Sequence, residues 1–74
     1  MRIRYNEKND ALYIRFREDK YFESDEIKEG FILDYDQNGN IIGIEILDAS
    51  DYLNLDELSA VRFDVEKAVQ ISST

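Results

Sequence analysis

The chain has 74 residues, 43% of them hydrophobic, with 17 acidic and 9 basic side chains and a formal net charge of -8. A single domain of this length buries only about 60% of its unfolded surface, so its core must be thin, and the absence of cysteine excludes a disulfide to reinforce it. Histidine is absent as well, and the two absences together remove imidazole ligands, thiolate zinc sites and histidine-activated serine or cysteine nucleophiles.

The basic residues are unevenly placed. Arg2, Arg4, Lys8, Arg15, Arg17 and Lys20 fall in the first 20 positions, and only Lys28, Arg62 and Lys67 follow. The acidic balance argues against a nucleic-acid partner, although the N-terminal cluster, with Tyr13, could form one local positive surface. The apolar runs are only a few residues long, too short for a signal segment or a membrane span of about 20 residues. The expectation is one domain over residues 1–74, cytoplasmic and without a membrane partner.

Ile3 to Tyr5 and Leu12 to Phe16 alternate with period two on either side of Asn6-Glu7-Lys8-Asn9-Asp10, which reads as a hairpin. Leu12, Ile14 and Phe16 would share one face, and Ala11, Tyr13 and Arg15 the other. Arg17 to Glu26 is mostly charged and reads as a link or exposed extension.

Phe31 to Leu47 is centred on Asn38-Gly39, the strongest short-range signal for a two-residue type I′ turn. That turn pairs Tyr35 with Ile42, Leu33 with Ile44 and Phe31 with Ile46, six apolar residues on one side of the ribbon. The other side carries Ile32, Asp34, Asp36, Ile41, Gly43, Glu45 and Leu47. Ile32, Ile41, Gly43 and Leu47 are therefore candidates for an interaction face.

Asn54 with Glu57 three positions later fits a weakened capping box and predicts a short helix over Leu55 to Ala60. Beyond it, residues 61–71 suit a continued helix through Val61, Val65 and Ala68, or an extended segment through Phe63, Val65, Val69 and Ile71. Residues 72–74 are expected to be a disordered tail. The fold class is α+β: a small antiparallel β-sheet built from two hairpins, a short C-terminal helix, and an additional helix or strand.

Tyr5, Asp10-Ala11-Leu12-Tyr13-Ile14, Asp34-Tyr35-Asp36 with Gly39, and Ile42-Gly43-Ile44-Glu45-Ile46-Leu47-Asp48-Ala49-Ser50 carry a family likeness. Over roughly residues 2–50 the chain resembles the short bacterial and archaeal family known as domain of unknown function 2283. Asn6 stands where that family often has aspartate. The resemblance implies a small β-rich fold and brings no established activity and no catalytic residues. It raises the expectation of a binding or antitoxin-like part.

Asp34-Tyr35-Asp36-Gln37-Asn38-Gly39, five residues and then Glu45 match the EF-hand calcium-loop formula as a string. The β-branched run after it reads as a strand where an EF-hand has a helix, so turn chemistry accounts for Asn38-Gly39 without an ion. Asp34, Asp36 and Glu45 would nevertheless share one face of the hairpin, flanking Gly43. Asp34, Asp36, Asn38 and Glu45 are thus the candidates for a metal or polar site. The leading expectation is a protein-interaction or regulatory module without catalytic activity or cofactor, forming a homo-oligomer or binding a small protein partner. The rival is a carboxylate-based divalent-metal-binding protein or small metal-dependent enzyme using Asp34, Asp36 and Glu45.

Overall fold

A computed structural model of the chain describes residues 1–68. Period-two alternation becomes β1 (Arg2–Asn6) and β2 (Ala11–Arg15), paired in the expected hairpin. In the loop between them the Asn6 side chain accepts the Asn9 N–H at 3.1 Å, and Asp10 takes the left-handed conformation at φ 51. Asn6 is thus used in the turn.

The expected link is in part a strand. β3 (Glu23–Lys28) pairs with β4 (Phe31–Tyr35), and β4 pairs with β5 (Ile41–Leu47). The sheet therefore has five antiparallel strands in the order β1-β2-β5-β4-β3, one hairpin connection more than the two expected. Every β3 residue is exposed, so no apolar alternation could mark it. Its charges suit a sheet edge, where they discourage further pairing.

The β4–β5 connection differs from the type I′ turn. Among the described residues only Asp10 and Asp48 have positive φ without being glycine, so Asn38 does not meet the type I′ requirement. Instead Gly39 donates its N–H to the Asp36 carbonyl at 3.1 Å and Asp36 donates to the Asn40 carbonyl at 2.9 Å, leaving Gln37, Asn38 and Gly39 as a three-residue loop. This is a type I turn followed by a left-handed glycine at φ 83. The pairing of Tyr35 moves from the expected Ile42 to Ile41, and a bulge at Ile42 restores Leu33↔Ile44 and Phe31↔Ile46. Ile42 is fully buried there, and its carbonyl accepts the Phe16 N–H at 2.8 Å.

Residues opposite one another share a face. One face carries Ile3 and Tyr5 of β1, Leu12 and Ile14 of β2, Ile44 and Ile46 of β5, and Phe31 and Leu33 of β4. The other carries Arg2, Arg4, Tyr13, Arg15, Gly43, Glu45, Asp34 and Ser24. The chain then makes two short 3₁₀ turns, Ala49–Asp51 and Leu55–Ala60. The second occupies the span expected for the helix, capped by the Asn54 side chain accepting the Asp56 N–H at 3.1 Å. Leu55 and Leu58, three apart and so eclipsed in this geometry, are its half-buried residues. The Tyr52 ring meets Phe31 edge-on at 4.9 Å between centroids, giving the apolar face partial cover.

Residues 61–68 are neither helix nor strand, and 69–71 and the tail 72–74 lie outside the described residues. Among the described residues the fully buried apolar set is only Ala11, Leu12, Ile42 and Ala49. One layer of sheet encloses little; the other apolar strand residues are half-buried or exposed.

Candidate functional site

The polar face is built where β2 comes close to β5. Gly43 has no side chain because the Ile14 carbonyl would lie 2.8 Å from a Cβ there. Charged groups flank this position on the same face. Asp34 stands opposite Gly43 and is 6% exposed, and Glu45 is one pair along, opposite Ile32 and Tyr13. Ser24, opposite Asp34 on β3, donates its hydroxyl to an Asp34 carboxylate oxygen at 3.1 Å, and the Tyr21 hydroxyl lies 2.7 Å from Ser24 Oγ.

The Glu45 carboxyl is pushed up to about 7. Burial is the main cause, reinforced by a hydrogen bond to Asp34 and by that neighbour's negative charge, while Arg15 acts the other way. Arg4 lies over the Tyr13 ring, 5.3 Å from its centroid. A small, partly open pocket of about 40 Å³ is lined by residues that include Arg2, Arg4, Tyr13, Arg15 and Asp34. It has room for a water or small ion, well below the few hundred Å³ that an organic ligand occupies.

The other two candidate polar residues go elsewhere. Asp36 is 7% exposed and turns into its own loop, where one carboxylate oxygen accepts the Asn38 and Asn40 N–H groups, each at 2.9 Å. Its second oxygen accepts the Asn40 side-chain amide at 3.1 Å. These bonds, led by the Asn40 N–H, hold its carboxyl below the ordinary aspartate range. Asn38 contributes its backbone N–H to that turn and is otherwise exposed. The structure thus joins Asp34 to Glu45 and keeps Asp36 and Asn38 in the loop. Among the described residues no three acidic side chains gather as a metal-holding group.

Of the candidate interaction residues, Ile32, Gly43 and Leu47 share the polar face through their partners Glu45, Asp34 and Ala11. Ile41 is separated from them by the bulge and is exposed. Gly43 is buried, and Ile32 and Leu47 are half-buried.

A polar cluster outside these candidates fastens the end of β5 to the first hairpin. The Asp10 carboxylate accepts the Tyr5 hydroxyl at 2.7 Å, the Ser50 N–H at 3.0 Å and the Ser50 hydroxyl at 2.6 Å. The Asp10 carbonyl accepts the Ala49 N–H at 2.9 Å, and Ala49 is fully buried. The Ser50 hydroxyl and then Tyr5 hold the Asp10 carboxyl low, and Asp10 in turn pushes the Tyr5 hydroxyl up to about 12. Tyr5, Asp10 and Ser50 are visible in the sequence as carriers of the family likeness, but Asp10 and Ser50 stand 40 residues apart, which gives no sign that they touch.

The described residues contain no helix long and apolar enough to cross a membrane. No curated protein and no solved structure matches the chain. The family model described as Protein of unknown function (DUF2283) matches residues 2–50, from the first strand through the Asp10–Ser50 contact, and the chain belongs to that family.

Proposed function

We propose that this chain is a non-catalytic interaction module whose working form is a homodimer, associated through the apolar face of the sheet. One observation carries the reading. Ile3, Tyr5, Ile14, Phe31, Leu33, Ile44 and Ile46 share a face of a single-layer sheet, and none of them is fully buried in the chain by itself. An apolar surface of this extent on an acidic protein is ordinarily covered by a partner, and closed two-fold pairing is the commonest cover.

The carboxylate reading has weaker support, because its third ligand, Asp36, already spends both oxygens on Asn38 and Asn40. Sedimentation equilibrium tests the proposal. A species of twice the 8.7 kDa chain mass is expected as concentration rises. A chain that stays at its monomer mass up to about 0.5 mM is not a homodimer in any useful sense.

A further inference from the structure

Past the second 3₁₀ turn the chain runs extended from Val61, at φ -62 and ψ 130. Val61, Phe63 and Val65 alternate with Arg62, Asp64 and Glu66, and Arg62 and Asp64 meet at 3.4 Å, as side chains on one side of an extended chain can. The segment has the pattern of a half-buried strand and none of the burial: Phe63 is 79% exposed, with Val61 and Val65 exposed beside it. Among the described residues, it also takes part in no strand pairing.

We infer that this segment is an exchanged strand, adding antiparallel to the β1 edge of a second copy in the register Asn6↔Arg62, Tyr5↔Phe63, Arg4↔Asp64, Ile3↔Val65 and Arg2↔Glu66. The sheet has two edges, β1 and β3. β3 carries exposed Glu23, Asp25 and Glu26, which would stand against Asp64 and Glu66. β1 carries exposed Arg2 and Arg4 on one side and Ile3 and Tyr5 on the other.

Only one antiparallel register sets both acids opposite both arginines, and it also lays Phe63 and Val65 on the apolar face beside Tyr5 and Ile3. Arg62 then falls opposite Asn6, away from like charge. The occupant is a second copy because in this structure Arg2, Ile3 and Arg4 of the chain's own edge are left exposed while its own segment stands equally bare. Reciprocal exchange supplies each copy with a sixth strand and closes the assembly. The inference rests on the self-association proposed above and adds an edge contact to its face contact.

The chain has no cysteine, so paired single-cysteine variants give a direct test. Ile3→Cys and Val65→Cys, made separately and mixed under mild oxidation, should give a mixed disulfide between copies, since opposed strand residues lie within disulfide reach. In parallel, Phe63→Asp should weaken the dimer by at least about tenfold, the loss typical of an aromatic anchor. Because Phe63 is exposed in the single chain, its thermal unfolding at low concentration should not change.

Arg4→Glu should weaken association, and adding Asp64→Arg should restore it. A dimer indifferent to Phe63→Asp, with no mixed disulfide, overturns the exchanged strand and leaves self-association standing. A wild-type chain that is monomeric throughout overturns both. A double variant, Ile3→Cys with Val65→Cys, that closes within one chain in place of linking two would assign the segment to its own edge and overturn the exchange.

Discussion

Gly43 and Ile14 lie on adjacent strands so close that a Cβ on Gly43 would sit 2.8 Å from the Ile14 carbonyl oxygen and 3.5 Å from the Arg15 Cα. Both obstacles are backbone, so neither can swing aside. The close approach holds β2 against β5, and the β4–β5 pairing sets Asp34 and Glu45 on the same face as Gly43.

Gly43→Ala should therefore destabilise the chain by about 1–3 kcal/mol, the range for overpacking a closed contact. Denaturant unfolding at one fixed protein concentration measures it. A loss within about 0.5 kcal/mol would mean that the two strands can separate freely, contrary to the geometry.

Stability should pass through a maximum in mildly acidic solution, because the carboxylates act in opposite directions. Glu45, pushed up to about 7 from 4.5, keeps its proton in the folded chain where the unfolded chain has released it. Its contribution is complete below the unfolded value and is lost as pH rises through about 7. Asp10 and Asp36 are held low, so theirs is present above the ordinary aspartate value and is lost as pH falls through their folded ones. With allowance for the solvent that screens a half-exposed carboxylate, Glu45→Gln should gain about 1 kcal/mol over wild type at pH 8 and little at pH 4. Unfolding curves at the two pH values decide the point, and an equal effect at both would show that Glu45 titrates normally.

The three-residue loop makes unequal demands on its two central signal residues. Gly39 has φ 83, and a Cβ added there would meet nothing within 4 Å, so Gly39→Ala carries only backbone strain, about 1 kcal/mol. Asn38 supplies a backbone N–H that any residue other than proline supplies, and Asn38→Ala should stay within about 0.5 kcal/mol. Calcium should leave both variants and wild type unchanged in melting temperature, since the Asp36 oxygens are already bonded to the loop. Comparable losses from the two substitutions would favour a type I′ turn, and a calcium-dependent rise in melting temperature would reinstate the ion-binding loop.

How far the sequence discloses this arrangement depends on what kind of signal each part has. Period-two alternation reveals β1, β2, β4 and β5, and it pairs Leu33 with Ile44 correctly although the turn between them is of another type. Two displacements cancel: the longer loop shifts the register by one residue and the Ile42 bulge shifts it back. Asp36 decides the loop, since its carboxylate gathers the Asn38 and Asn40 N–H groups, and a turn-type preference for Asn-Gly does not include that bond. β3 is illegible because its ladder to β4 is made by the backbone and all of its residues are exposed. The Asp34–Glu45 pairing follows from strand parity, whereas the Asp10–Ser50 contact requires the β2–β5 pairing, which no local signal contains.

Ile44 distinguishes a sheet that stands alone from one that is covered. It pairs with Ile14 on one side and Leu33 on the other, at the centre of the apolar face, yet it is only half-buried in the single chain. Ile44→Ala removes side-chain volume from a site that already sees water, so a monomer should lose about 1–2 kcal/mol, below the range for a closed core. In a dimer that covers the face, the same substitution also removes interface contacts, and its cost should rise with protein concentration by mass action. Unfolding of wild type and Ile44→Ala at several concentrations separates the cases. A cost that grows across the series supports the covered face. A cost that is flat near the lower figure would mean that the half-buried face is the finished state of this fold, and that association, if it occurs, uses another surface.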